Sequence, residues 1–378
     1  MSDEHPARSY EYTPPNARKI VGGLGALSKL HEMAEELGTK KAVVVTSPSL
    51  VREGKTLRQV EQLLDSRHLT TFSEVKPHSP IEVVQRATRL VEDSGADTVV
   101  SLGGGSSIDT AKGVVWYSNP DDEEATVTHI AIPSTLSGAE YTTDAGITFP
   151  EGKRVHRHSK IVPPGVILDP NVVATVPLEF LKTSLLNALA HCLEGLVSIG
   201  ASPMTDAAYT HGIRLLNESH TELDTDKGRY LAQGGAALAA IHQVPVGLAH
   251  ALVHIVGGKF KTPHAATHAI VGPAVMRFNL PYVAKRQRAI AESFGVSTAG
   301  LSDNQSAWEA VKAARGIATN LGVPAGLRDL GVPEDRLLEV AEEVPHDPCF
   351  ITNPKEIESP EETMTALRWA WSGEIPAP

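Results

Sequence analysis

One stretch limits the fold more than any other. Asp97-Thr-Val-Val-Ser-Leu102 runs without a break into Gly103-Gly-Gly-Ser-Ser107, and helical spacing resumes from about Ile108 to Val115. A short, β-branched apolar run of this kind is a strand buried on both faces. Turning through three glycines into a helix, it forms the first half of a βαβ crossover. Glycines there let backbone N–H groups of the helix start close on a bound phosphate. The loop matches neither Gly-x-Gly-x-x-Gly nor Gly-x-x-x-x-Gly-Lys-Ser/Thr, so neither standard nucleotide fingerprint applies. A tight turn that needs only positive φ is the plainer alternative.

The surrounding sequence repeats the pattern. Strands are expected at Lys41 to Val45, near Leu69 to Val75, and at Thr128 to Ile132, with helices over 50–65 and 81–92. Ile132-Pro-Ser-Thr-Leu-Ser-Gly-Ala-Glu140 leaves its strand at the same sheet edge, where Ser134, Thr135 and Ser137 offer hydroxyls to a dinucleotide. Beyond Val166-Ile-Leu-Asp-Pro170 and Pro177 the period changes to that of helices. These are expected over 178–198, 203–218, 228–242, 246–257, 281–294, 304–321, 335–343 and 360–372. The expected organisation is therefore a Rossmann-like α/β domain with a parallel sheet over residues 1–172, followed by an all-α domain over 173–378.

Composition narrows the function. With 45 acidic and 34 basic side chains the chain carries −11, and no Lys/Arg run offers a footprint for nucleic acid. No run of apolar residues has membrane-spanning length and the N-terminus is polar, so a cytoplasmic protein that contacts no membrane is expected. The two cysteines, Cys192 and Cys349, cannot build a disulfide framework and lack zinc-site spacing.

Histidines supply the second chemical signal. Asn187, His191 and Glu194 fall at i, i+4 and i+7 on one face of an otherwise apolar helix. His250 and His254 repeat the four-residue spacing, and His264 and His268 repeat it again. Five of 16 histidines in such apolar surroundings point to an acid–base or metal-like cluster in the second domain. A satisfied polar cluster between helices is the plainer reading, and His268 is the residue most readily taken as structural.

Together these features resemble the iron-containing alcohol dehydrogenase family over almost the whole chain, from Val21-Gly-Gly-Leu-Gly25 to the last helix. The resemblance implies the dehydroquinate synthase-like fold of that family. It also implies a pyrophosphate loop at Gly103, Gly104, Gly105 and Ser106, further cofactor contacts from Ser134 and Thr135, and a cofactor-contacting lysine at Lys153. The family's metal ligands, an Asp and three His, correspond to Asn187, His191, His250 and His264, and His254 matches its extra histidine beside the metal. Asn187 replaces the anionic ligand, which lowers affinity for a hard or borderline cation. The same Asn occurs in the metal-independent maleylacetate reductase branch. That branch is also resembled by Leu248-Ala-His-Ala-Leu-Val-His254, by Asp347-Pro-Cys-Phe-Ile-Thr-Asn-Pro354 and by Ala370-Trp-Ser-Gly373. Leu136 and Tyr141-Thr-Thr-Asp-Ala145 depart from the branch and bear on the substrate.

The implied activity is reduction of maleylacetate to 3-oxoadipate by NADH or NADPH in aromatic compound degradation, with no metal, by a homodimer acting on a small dicarboxylate. Ser47 stands where strict NAD users carry an Asp, so both cofactors are expected to serve. In the expected mechanism His254 donates the proton and His191, His250 and His264 polarise the keto oxygen or grip a carboxylate. Asn187 orients one of those rings, while Arg157 and Lys160 are candidate cations for the dianion. A metal-dependent alcohol dehydrogenase of the same family is the alternative. A dehydroquinate synthase-type lyase and a non-enzymatic nucleotide-binding regulator are the remaining readings.

Overall fold

The computed structural model describes residues 19–118, 124–241 and 244–378. The polar N-terminal stretch and the end of the helix expected at 242 lie outside the described residues. Contacts divide the described chain into two units: residues 19–181 with 222–233, and residues 182–221 with 234–378. The boundary expected at 172/173 thus falls inside a short helix of the first unit, and residues 222–233 group with that unit.

The first unit holds a six-stranded parallel sheet of β1 (Lys19–Gly22), β2 (Ala42–Thr46), β3 (His68–Phe72), β4 (Thr98–Gly103), β5 (Thr128–Pro133) and β8 (Gly165–Leu168), in the order β1-β8-β5-β4-β2-β3. Its helices are α1 (Leu30–Glu36), α2 (Pro48–Glu53), α3 (Lys55–Leu64), α4 (Ile81–Ser94), α5 (Gly105–Ser118) and α6 (Pro170–Val173). Strand alternation sends Val44, Val100 and Leu102 to one face, against Leu30, Met33, Val60 and Leu64. Val43, Val45 and Val99 go to the other, against Val83, Ala87, Val91, Ala111 and Val114. Both faces being covered explains why these strands read as continuous apolar runs. The order reverses between β2 and β4, the switch point outside whose carboxyl ends ligands of such sheets bind.

Two local features depart from expectation. The helix expected over 50–65 is two helices, because Gly54 takes a left-handed φ of 70° between α2 and α3. An antiparallel hairpin of β6 (Asp144–Phe149) and β7 (Gly152–Arg157) also stands apart from the main sheet.

The second unit is helical, with α7 (Leu178–Val197) and α9 (Asp226–Ile241) each shared with the first. The others are α8 (Pro203–Ser219), α10 (Leu248–Phe260), α11 (His264–Ser293), α12 (Asp303–Asn320), α13 (Leu337–Glu343) and α14 (Pro360–Ser372). α11 is longer than the helix expected over 281–294. It carries Pro273 and Pro281 inside and breaks helical geometry at Val283, so its first half does not read as helix from sequence. α10, α11, α13 and α14 enclose an apolar core of this unit. Among the described residues no helix is long and apolar enough to cross a membrane.

Candidate active site

The first unit offers a candidate cofactor site at the turn from β4 into α5. Gly103 has φ 149°, and a Cβ there would lie 2.3 Å from Ser107 Oγ. A Cβ on Gly104 would lie 2.8 Å from Thr135 Cγ2, and one on Gly105 would meet Ser137 Oγ at 3.4 Å. The Ser134 N–H donates to Gly103 O at 2.9 Å, tying the two loops together. Gly103, Gly104, Gly105, Ser134, Thr135 and Ser137 therefore form one small-residue cradle at the start of a 14-residue helix, a fit for a pyrophosphate. Ser106 partly turns to the neighbouring loop, its Oγ accepting from the His78 N–H at 3.1 Å. Ser47 follows β2 with its Oγ 2.8 Å from Ser49 Oγ. Exposed Lys153 of β7 lies across Gly146 of β6, where a Cβ would fall 2.3 Å from Lys153 Cε.

Sequence reasoning missed what shapes this loop. Lys112 of α5 is fully buried, and its ammonium donates to Ala139 O, Thr142 O, Thr142 Oγ1 and Asp144 O. Burial pulls its pKa down to about 8, against the opposing charges of Asp109, Glu140 and Asp144. A lysine in a helix pattern ordinarily marks the solvated face, so nothing in the sequence announces this anchor. Buried Glu140 beside it is pushed up to about 7, chiefly by desolvation. The two cations considered for a dianion are engaged here too. Arg157 pairs with Asp144 at 2.6 and 3.0 Å, and Lys160 lies 4.7 Å over the Trp116 ring.

The second unit gathers the histidines. α7 brings His191, α10 brings His250 and His254, and α11 opens with His264 and His268. Ring centroids lie 4.7 Å apart for His191–His250, 4.9 Å for His264–His268, 6.0 Å for His254–His264 and 6.2 Å for His250–His254. His268 belongs to the cluster, 4.2 Å from His250, buried, with neither ring nitrogen hydrogen-bonded. Burial first, and the neighbouring imidazoles second, pull His191 to about 3 and hold His268 well below the ordinary range. Both rings are therefore neutral at physiological pH.

Carboxylates fix two of the other three rings, His250 and His254. Glu194 Oε1 accepts from the Gly247 and Ala249 N–H groups at 3.1 Å each, at the start of α10, and its Oε2 pairs with His250 Nδ1. His250 Nε2 is left buried and unpartnered. Asp347 Oδ2 lies 2.9 Å from Nδ1 of the more exposed His254, and Oδ1 accepts from the Cys349 N–H at 2.8 Å. Burial raises the Asp347 carboxyl, but these two bonds outweigh it and hold its pKa below the usual value. The Asn187 side chain, expected to orient a ring, makes no hydrogen bond to any described residue; Glu194 and Asp347 orient His250 and His254 instead. Glu194 was visible as the i+7 member of its helix face, whereas Asp347 lies too far along the chain for spacing to find it.

The four positions that correspond to family metal ligands do not fit a metal well. Asn187 offers a neutral amide, and His191, His250 and His264 do not bring one ring nitrogen each within 4.8 Å of one another. Glu194 does lie that close to His250 and His268, but its oxygens are committed to two N–H groups and an imidazole.

Comparison with known proteins identifies the family. Two family models match: "Iron-containing alcohol dehydrogenase" over residues 17–170, and "Fe-containing alcohol dehydrogenase family, C-terminal" over 182–369. The chain is an NAD(P)-dependent oxidoreductase. It belongs to the iron-containing alcohol dehydrogenase family, on the side of the maleylacetate reductase branch. Maleylacetate reductase 1 of Cupriavidus pinatubonensis is 34% identical over 352 residues, 90% of this chain and 92% of that one. Lactaldehyde reductase of Escherichia coli is 29% identical, over 92% of this chain and 97% of its own. The crystal structure of maleylacetate reductase from Agrobacterium tumefaciens superposes with a TM-score of 0.85 at 27% identity, covering 98% of this chain and 100% of that one.

Proposed function

We propose that this protein reduces the conjugated C=C bond of maleylacetate, giving 3-oxoadipate, with NADH or NADPH and without a metal ion. One observation carries the reading. Where the family places an anionic metal ligand this chain has Asn187, and its carboxylates, Glu194 and Asp347, are spent on holding imidazoles.

The reaction needs a hydride on carbon, stabilisation of the enolate oxygen that develops, and a proton on the neighbouring carbon. Bound NAD(P)H supplies the hydride. The Gly103–Gly105 cradle holds its pyrophosphate, with Ser106, Ser134, Thr135, Ser137 and Ser47 around it and Lys153 at the edge. His191, neutral because burial and then its neighbours disfavour a charge, donates an N–H to the enolate oxygen, and His264, stacked on His254, offers a second ring. His250 is locked by Glu194 and keeps the rings in register. His254 delivers the proton from Nε2. The neutral form left behind carries its hydrogen on Nδ1, the tautomer that Asp347 accepts.

Three retained histidines, and the likeness to lactaldehyde reductase, favour metal-dependent alcohol dehydrogenase action as a second reading. Purified protein assayed with maleylacetate and with short-chain aldehydes separates the two. A kcat/KM for maleylacetate at least about a hundredfold above that for any aldehyde, roughly 2.7 kcal/mol of transition-state preference, supports the reductase. The reverse ranking supports the dehydrogenase.

A further inference from the structure

Beside the family's metal positions but sharing none of those four residues, the structure assembles a second set of ligating atoms from distant parts of the chain. His254, Asp347 and Cys349 each place one such atom within 4.8 Å of the other two. We propose that His254 Nδ1, an Asp347 carboxylate oxygen and Cys349 Sγ form a binding site for a thiophilic divalent cation, zinc above all, whose occupation blocks the enzyme.

The donor set is the argument. Zinc takes thiolate, imidazole and carboxylate together, at about 2.3, 2.0 and 2.1 Å. Tetrahedral geometry with such bonds separates ligand atoms by about 3.3–3.8 Å, so atoms already within 4.8 Å need draw in by only about an ångström. Three protein ligands leave a fourth position open to water or to a substrate carboxylate. The set is also held in place. The Thr352 hydroxyl, three residues after Cys349, donates to Val246 O, and Asn353 Oδ1 accepts from the Leu248 N–H at 3.3 Å. The turn that carries Asp347 and Cys349 is thereby fastened to the start of α10, the helix that carries His254. Access is open, because His254 is 44% exposed.

Neither cysteine suggested a metal site in sequence, because zinc motifs are recognised by closely spaced pairs, and here the third ligand lies in another helix. The blocking consequence rests on the proposed role of His254 and Asp347: a cation on Nδ1 displaces the proton that Asp347 accepts, so the ring cannot become the imidazolium that gives up a proton from Nε2. The binding itself does not depend on that role.

The test is a cobalt titration of the full-length protein after chelation and gel filtration, with zinc inhibition measured in parallel. Stoichiometric cobalt should give a thiolate-to-cobalt charge-transfer band that zinc abolishes. Cys349→Ala should lose the band with an unchanged circular dichroism spectrum, and His191→Ala should keep it. Zinc inhibition, referred to each variant's own metal-free rate, should weaken at least tenfold in Cys349→Ala. No band in the natural protein, a band that survives Cys349→Ala, or one lost with His191→Ala overturns the site. Because the band needs no turnover, a protein that binds cobalt at Cys349 but leaves maleylacetate unreduced would sink the proposed function and spare this inference.

Discussion

His254 and Asp347 carry the sharpest consequences at the level of single residues. If His254 delivers the proton, His254→Gln lowers kcat by about 10²- to 10⁴-fold, the usual worth of general acid catalysis. NADH affinity should stay the same, because the glycine cradle belongs to the other unit. Asp347→Asn keeps the ring but loses the charged acceptor, and should cost kcat less than His254→Gln does. A raised KM with normal kcat in His254→Gln would mean that this ring grips substrate instead. Ser47 governs a different choice. With no carboxylate at the end of β2, NADPH and NADH should both serve, within about a thousandfold in kcat/KM. Ser47→Asp should cut NADPH use by about a hundredfold or more and spare NADH; equal losses with both cofactors would assign the discrimination elsewhere. The residue scale is also where sequence served least evenly. His191, His250, His254 and His264 stood out by their spacing, and all four meet. Glu194 was visible and undervalued, and His268, the histidine most readily read as structural, packs on His250 with both nitrogens unpartnered. Asp347 was invisible as a partner, because only the fold brings residue 347 to residue 254.

Among the elements, the loop from β5 to β6 is the one whose stability should follow pH. Its buried Glu140 holds a proton up to about pH 7, whereas the unfolded chain releases it near the ordinary value of 4.5. Stability should therefore fall as pH rises through that window, by about 3 kcal/mol if this group acted alone. Glu140→Gln mimics the protonated form. It should raise the thermal midpoint at pH 8 and leave it nearly unchanged at pH 5; equal shifts at both would show that ionisation is not the cause. The elements themselves were largely readable. β2, β4 and β5 announced themselves as apolar runs because helices cover both faces of the sheet. The β6–β7 hairpin did not, since β7 is almost wholly exposed and carries no apolar pattern. The first half of α11 hid behind Pro273, which this helix accommodates in its interior.

On the scale of the whole molecule, one unit holds a small-residue cradle at a helix start and the other an imidazole cluster in which carboxylates orient two rings. The parallel sheet was implied by the alternation of strands and helices in the first half, and the helical second unit by the change of period near residue 177; family membership agrees with both. The exact boundary was not, because a segment late in sequence, 222–233, packs with the earlier unit. The central claim is that hydride transfer here proceeds without a Lewis acid. It is tested most directly by NADH oxidation with maleylacetate after prolonged chelation, with metal content measured on the same sample. The account predicts an undiminished rate with iron and zinc well below one per chain, and no gain when either is added back. Loss of turnover on chelation, restored by ferrous or zinc ion, would contradict it.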